Sequence, residues 1–165
     1  MKLKIFDKKA MLLSFLISSL IFLACFLLFF PKTYSSSPQI ILNYLASIFM
    51  SERVLPPEIP LGSASIYVGL FTHFIVSFSL TAIISFIFYK GGILEGILGG
   101  AFCGFCFYLI CVYGISLYRP WFYIFQGIPF LVGNIAYGAL SGFLYELFEE
   151  EEFEIIQSRK GTQLL

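Results

Sequence analysis

Charge is what this sequence has least of. Ten basic and ten acidic side chains make up 12% of its 165 residues, where a soluble domain carries about a quarter, so water is not the chain's main solvent. Histidine occurs once, at His73, which leaves an axial haem site without the second histidine or methionine at matched depth that would complete it. No nucleophile, base and orienting partner can be assembled from the polar residues present, so the chain is not expected to be an enzyme. The basic surface that nucleic acid requires is missing as well. Four cysteines, Cys25, Cys103, Cys106 and Cys111, all fall inside apolar runs. A disulfide framework belongs to small secreted domains without a core, and Cys103-x-x-Cys106 has no second cluster to complete a zinc or iron-sulfur site. The cysteines read as small, polarizable packing residues, and no metal or cofactor is expected.

Apolar length is what the chain has instead. Four stretches, 10–30, 66–88, 93–112 and 122–143, are long enough to cross a hydrocarbon core, which takes about 20 helical residues, and no strand-period alternation suggests a barrel. The first follows "MKLKIFDKK", a basic start that a signal peptide shares. Its apolar run continues through "FLLFF" beyond "FLAC", so it reads as a retained anchor. Between the first two spans, residues 31–65 form an outer loop. Within it, "SPQIILNYLASIFM" has Ser37 as a helix cap and Pro38 in the first turn. The dozen residues that follow are too few to span, so this helix should lie in the interface before "VLPPEIP" ends it. The expectation is an all-helical integral membrane protein: one domain of four spans in a bundle, with a short interfacial helix and an acidic tail over 146–165.

Basic residues orient that bundle. Lys2, Lys4, Lys8, Lys9, Lys90, Arg159 and Lys160 share one side, and the other holds Lys32, Arg53 and Arg119. Since cytoplasmic loops are enriched in Lys and Arg, both termini should be cytoplasmic, in a bacterial inner membrane. "YRPWFYIF", 118–125, sets aromatic rings around the turn between spans three and four, as rings do at the headgroup level.

"GGILEGILGGAFCG" repeats glycine at Gly92, Gly96, Gly100 and Gly104, although each costs about 1 kcal/mol relative to alanine within a helix. In lipid, helices associate by close packing, and small residues let backbones approach. "GNIAYGALSG" offers a matching surface, with Gly133, Tyr137 and Ser141 on one line and Asn134, Gly138 and Gly142 on its neighbour. Spans three and four should therefore form a tight hairpin, although the same spacing would also serve self-association.

Ionisable and polar groups at membrane depth are functional candidates. His73 lies early in span two, with Thr72 beside it and Ser77 and Thr81 near its face at i+4 and i+8. Asn134 lies at a similar depth in span four, and a hydrogen bond from His73 to Asn134, a serine or a carbonyl is expected. "IYVGLFTHFIVS" and "PFLVGNIAYGAL" form a weak internal repeat of the kind transporters place around a ligand site. Glu95, one turn into span three, should reach the interface or pair with Lys90. The acidic tail should be solvated, where it could dock a basic partner.

From about Ala46 to Glu146 the pattern resembles the YagU-like group of small bacterial inner-membrane proteins. The resemblance is carried by "THFIVSFSLTAIIS", the glycine-rich start of span three, Pro120 and Trp121, and "GNIAYGALSGFLYELF". It implies a multi-span inner-membrane protein and no particular chemistry. Asn134 stands where that group often has histidine, a departure that weighs against a shared metal or haem role. Two functions remain: an accessory or structural subunit packing by its glycine faces against itself or other membrane subunits, and a small transporter or channel with a polar site at His73, Asn134 and Glu95. The charge map predicts that a reporter enzyme fused after Leu165 is active when it requires the cytoplasm and silent when it requires export. The reverse pattern would invert the topology.

Overall fold

A computed structural model describes residues 6–33, 37–55, 63–89 and 91–162, with backbone alone at 33, 63 and 150–162. Lys2, Lys4, Lys90, the prolines of "VLPPEIP" and the side chains of Arg159 and Lys160 lie outside the described residues. Every regular element among the described residues is helical. α1 (Lys8–Thr33) starts at Asp7, whose carboxylate accepts from the backbone N–H of Lys9 and Ala10 at 2.7 and 3.1 Å. Those groups have no partner within the helix, so an aspartate ahead of the first turn supplies one. α2 (Pro38–Met50) begins as its sequence predicts: Ser37 Oγ accepts from Ile40 N at 3.3 Å and Pro38 occupies the first turn. A short 3-10 turn, Glu52–Val54, follows, and α3 (Ser63–Phe88) comes after it.

α4 (Ile93–Leu109) does not stop at its expected end. The chain continues as a π-helical turn, Ile110–Ile115, and a final helical turn, α5 (Ser116–Tyr118). "PWFYIF", Pro120–Phe125, is a 3-10 segment, and α6 runs from Ile128 to Thr162. The third span thus reaches Tyr118 rather than 112, and the fourth begins at Ile128 rather than 122. Proline explains the shift, since Pro120 has no N–H to donate and biases Arg119 away from the helical region. Arg119 accordingly sits at φ −134°, ψ 78°.

Four helical stretches, Lys8–Lys32, Ala64–Phe88, Ile93–Tyr118 and Ile128–Glu149, are long and apolar enough to cross a membrane. Their polarity is inverted relative to a soluble bundle. Leu20, Leu28, Phe71, Phe86, Leu98 and Phe102 are exposed, whereas Ser14, Ser18, Thr81, Ser85 and Ser141 are buried. Such an exterior belongs in hydrocarbon, where backbone hydrogen bonds closed within each helix make the span possible. The protein is an integral membrane helical bundle.

The most extensive interface joins α4 to α6. A Cβ added at Gly96 would meet the carbonyl of Gly142, one at Gly100 the carbonyl of Gly138, and one at Gly104 the carbonyl of Asn134. Each four-residue step along α4 therefore matches a four-residue step in the opposite direction along α6, and backbone lies directly on backbone. Two glycines expected in this seam are elsewhere. A Cβ added at Gly92 would meet nothing within 4 Å, because Gly92 caps α4 rather than facing α6, and one added at Gly133 would meet the Phe22 ring of α1 at 3.2 Å. Helix periodicity places Gly133 one position round from Asn134, which turns it towards α1. The paired hairpins of an internal repeat do not match either, since α1 and α3 meet far less extensively than α4 and α6.

At the α2 end, Gly69 of α3 lets the backbone of Leu42 approach closely. Trp121 Nε1 donates to Ser47 Oγ at 2.8 Å, Tyr44 packs edge-on against Phe125, and the Arg119 guanidinium lies 5.6 Å from the Trp121 ring centroid. α2 is thus fastened to both α3 and the 3-10 segment.

The seam yields a contrast within one stripe. Gly100→Leu and Gly138→Leu should each destabilise the protein by about 3 kcal/mol, at the upper end of overpacking costs. Gly92→Ser, which only supplies a better cap, should melt in detergent at or above the wild-type temperature. Equal melting of all three would refute the seam.

Candidate functional site

α1, α3 and α6 turn hydroxyl-bearing faces towards one another. Ser77, Thr81 and Ser85 repeat every fourth residue on α3, as Tyr137, Ser141 and Tyr145 do on α6, and all six are buried. The bonding among Ser77, Thr81, Tyr137 and Ser141 has a fixed sense. Tyr137 OH donates to the Ser77 carbonyl at 2.9 Å and so has no second hydrogen for Thr81 Oγ1, 2.8 Å away. Thr81 must therefore donate to Tyr137, and Ser141 Oγ donates to Thr81 at 3.0 Å. The chain Ser141 to Thr81 to Tyr137 to Ser77 uses each of its three hydroxyl hydrogens once. Ser14 of α1 donates to the Ser141 carbonyl at 2.6 Å, tying the third helix to the same level.

Above this chain lies a cavity of about 140 Å³. α1, α3, the α4 and π-helical stretch and α6 line it, together with Leu45 and Ile48 of α2 and Phe122 of the 3-10 segment. The π turn contributes Ile110, Cys111 and Ile115. An i→i+5 turn of this kind recurs at functional sites because the extra residue re-aims its neighbours. Most of the wall is apolar, and Thr72, His73, Ser77, Asn134 and Tyr137 supply its polar groups.

His73 is 5% exposed and Asn134 4%. They share the cavity, as their matched depths predict, yet they are not bonded to each other. His73 Nε2 lies 3.1 Å from the Ser19 carbonyl of α1, and Asn134 Nδ2 donates to the Phe130 carbonyl of its own helix at 2.7 Å. Carbonyl oxygens only accept, so both assignments are dictated by chemistry: Nε2 carries the imidazole hydrogen, and the amide nitrogen faces Phe130. The Phe22 ring stacks on the imidazole at 6.0 Å and meets Tyr137 edge-on at 5.3 Å, holding both in place.

Glu95 does not belong to this site. It is exposed in the first turn of α4, nine residues before Gly104, which is level with Asn134; at 1.5 Å per residue that is about 14 Å along the axis. The acidic tail also departs from expectation. Glu146 and Glu149 are 1% and 4% exposed, because α6 continues beyond the seam and lays this face against the start of α1, where Tyr145 packs with Ala10, Met11 and Phe6. Among the cysteines, Cys111 lines the cavity and Cys103 packs beside Leu80, Ile84 and Tyr137.

Sequence reasoning missed the hydroxyls of α6 and α1. Tyr137 and Ser141 stood on the small-residue line of α6 and are instead its hydroxyl line. The α1 serines had a signal of their own, the i, i+4 spacing of Ser14 and Ser18 within an otherwise apolar run. Comparison of the chain with protein-family models, with curated proteins and with solved structures finds no match.

The hydroxyl chain is testable as a unit. Tyr137→Phe and Thr81→Val should each cost about 1 kcal/mol of unfolding free energy in bicelles, typical of interhelical hydrogen bonds in membranes. The double variant should cost clearly less than the two together, since both cut the same link. Additive losses would show the two hydroxyls to be independent.

Proposed function

We propose that the protein is a small membrane carrier whose solute site is the central cavity. One observation carries this reading: every spanning helix and α2 contribute wall to a single cavity at the level of His73 and Asn134. Ligand sites in helical bundles form in this way, with apolar walls and a few convergent polar groups. A location in a bacterial inner membrane with both termini in the cytoplasm agrees with the basic flanks, Lys8 and Lys9 among them, and places α2 on the outer side.

The alternative, an accessory subunit docking through glycine faces, draws no support from the seam. Gly96, Gly100 and Gly104 face α6, Gly69 faces α2, Gly99 faces Phe88 and Gly133 faces Phe22. Those faces are occupied within the chain. Glu95, exposed at the far end of α4, has no part in the carrier site.

Cys111 is a natural reporter because it is buried and lines the cavity. With Cys25, Cys103 and Cys106 replaced by alanine, a carrier exposes Cys111 to each face in turn. A membrane-impermeant methanethiosulfonate should therefore label it in both right-side-out and inverted vesicles. Labelling from one face only, or from neither, would overturn the carrier reading.

A further inference from the structure

The two fixed polar groups of the cavity have one character. His73 donates through Nε2 to Ser19, so the neutral ring keeps Nδ1 as an acceptor. Asn134 donates through Nδ2 to Phe130, so Oδ1 is likewise an acceptor. Neither atom is among the described buried side-chain atoms that lack a partner and are sealed from all access, and both residues line the cavity. The remaining polar groups do not reverse this bias. Tyr137 has committed its hydrogen to the Ser77 carbonyl, Thr72 donates to the Val68 carbonyl at 2.8 Å, and the Ser77 hydroxyl can serve either way. Among the described residues no Lys, Arg, Asp or Glu lines the wall.

Taking the cavity as the solute site, as the carrier reading does, we infer that its solute is a compact neutral molecule with an apolar body and a hydrogen-bond-donating head, such as a small alcohol. An anion would meet two acceptors and no cation. An ammonium would bury its charge without a carboxylate, and a buried unpaired charge is the costliest case. A body with no donor would leave His73 Nδ1 and Asn134 Oδ1 desolvated and unpaired, at the cost of an unmade buried hydrogen bond. Size sets the other bound: a cavity of about 150 Å³ in another protein holds benzene, so about six heavy atoms fit here.

Cyclopentanol, cyclopentanone and cyclopentylammonium test this with nearly the same shape. The full-length protein in lipid nanodiscs is titrated calorimetrically with each, and the heat from empty discs is subtracted. Cyclopentanol should bind about tenfold more tightly than cyclopentanone, the value of one donated hydrogen bond in a dry site, and cyclopentylammonium should give no saturable heat at neutral pH. An alcohol has one hydrogen to donate, so either Asn134→Leu, which leaves the backbone contact with Gly104 intact, or His73→Phe should lower the alcohol-to-ketone ratio to about threefold or less. Equal binding of alcohol and ketone, tighter binding of the ammonium, or a ratio untouched by both substitutions would overturn the inference while leaving the carrier reading to the Cys111 result. Saturable binding by none of the three would remove the cavity as a solute site, and the inference with it.

Discussion

Contact of backbone with backbone along α4 and α6 is the constraint on which the remaining arrangement depends. With Gly96, Gly100 and Gly104 lying on the carbonyls of Gly142, Gly138 and Asn134, the two helices have one register available, because a slip in either direction sets a side chain where only hydrogen fits. That register determines more than the hairpin. On a helix, residues three positions from the seam lie on a neighbouring face. Packing Asn134 and Gly138 against α4 therefore turns Tyr137 and Ser141 towards α1 and α3. The glycines, which carry no chemistry, aim the groups that do.

Those groups then solve a problem particular to lipid. A hydroxyl on the outside of a span has no water to bond, so it must find a carbonyl or another hydroxyl within the bundle. Ser141, Thr81 and Tyr137 satisfy one another in sequence and end on the Ser77 carbonyl, while Ser18 bonds back to Ser14 O on its own helix. Hydrogen-bonded polar contacts of this kind specify which faces meet, something that an all-leucine interior, as apolar as the surrounding tails, would leave undetermined. His73 and Asn134 differ from the hydroxyls in carrying more bonding capacity than the bundle uses. One side of each is anchored and both residues line the cavity, and the carrier reading draws on that surplus.

The outline of this fold was legible in the sequence because membrane spans are written in a one-dimensional code of length and polarity. The number of spans, the short apolar helix between the first two with its Ser37 cap, and the α4 and α6 hairpin all follow from it. The ends of the third and fourth spans did not, because "CVYGISLYRPWFYIF" is apolar throughout and composition does not distinguish α, π and 3-10 turns. The seam was legible in its spacing but not in its extent: Gly92 continues the i+4 series yet caps the helix, and Gly133 differs from Asn134 only by the 100° of one residue. The site was half legible. Polar residues at matched depth led to His73 and Asn134, and Ser77 followed from its face. Depth along a helix carries no azimuth relative to α1, so the bond from Ser14 to the Ser141 carbonyl and the Ser19 carbonyl beside His73 could not be placed. Glu95 was misgrouped for the opposite reason, since its chemistry suited a pathway that its position on the axis puts out of reach. Glu146 and Glu149 read as tail because acidic residues in sequence read as solvated; the length of α6 and the packing of Tyr145 at the start of α1 decide otherwise.

Rigidity is distributed unevenly around the cavity, and this limits how anything could pass through it. α4 and α6 cannot slide or roll on each other without forcing carbonyl oxygens into α-carbons, so they behave as one body, and α1 goes with them because it meets α6 more extensively than α3. The opposite wall is joined to that body by separable contacts. His73 meets α1 through one hydrogen bond, Thr81 meets α6 through hydroxyls that can re-pair with carbonyls on their own helices, and α2 is held by the Trp121–Ser47 bond and by aromatic edges. Packed interfaces change by moving between discrete arrangements rather than by continuous deformation. On the carrier reading, the discrete step is therefore displacement of α2 and α3 against α1, α4 and α6. His73 would travel with the first group and Asn134 stay with the second, so that opening the cavity also takes its two acceptors apart.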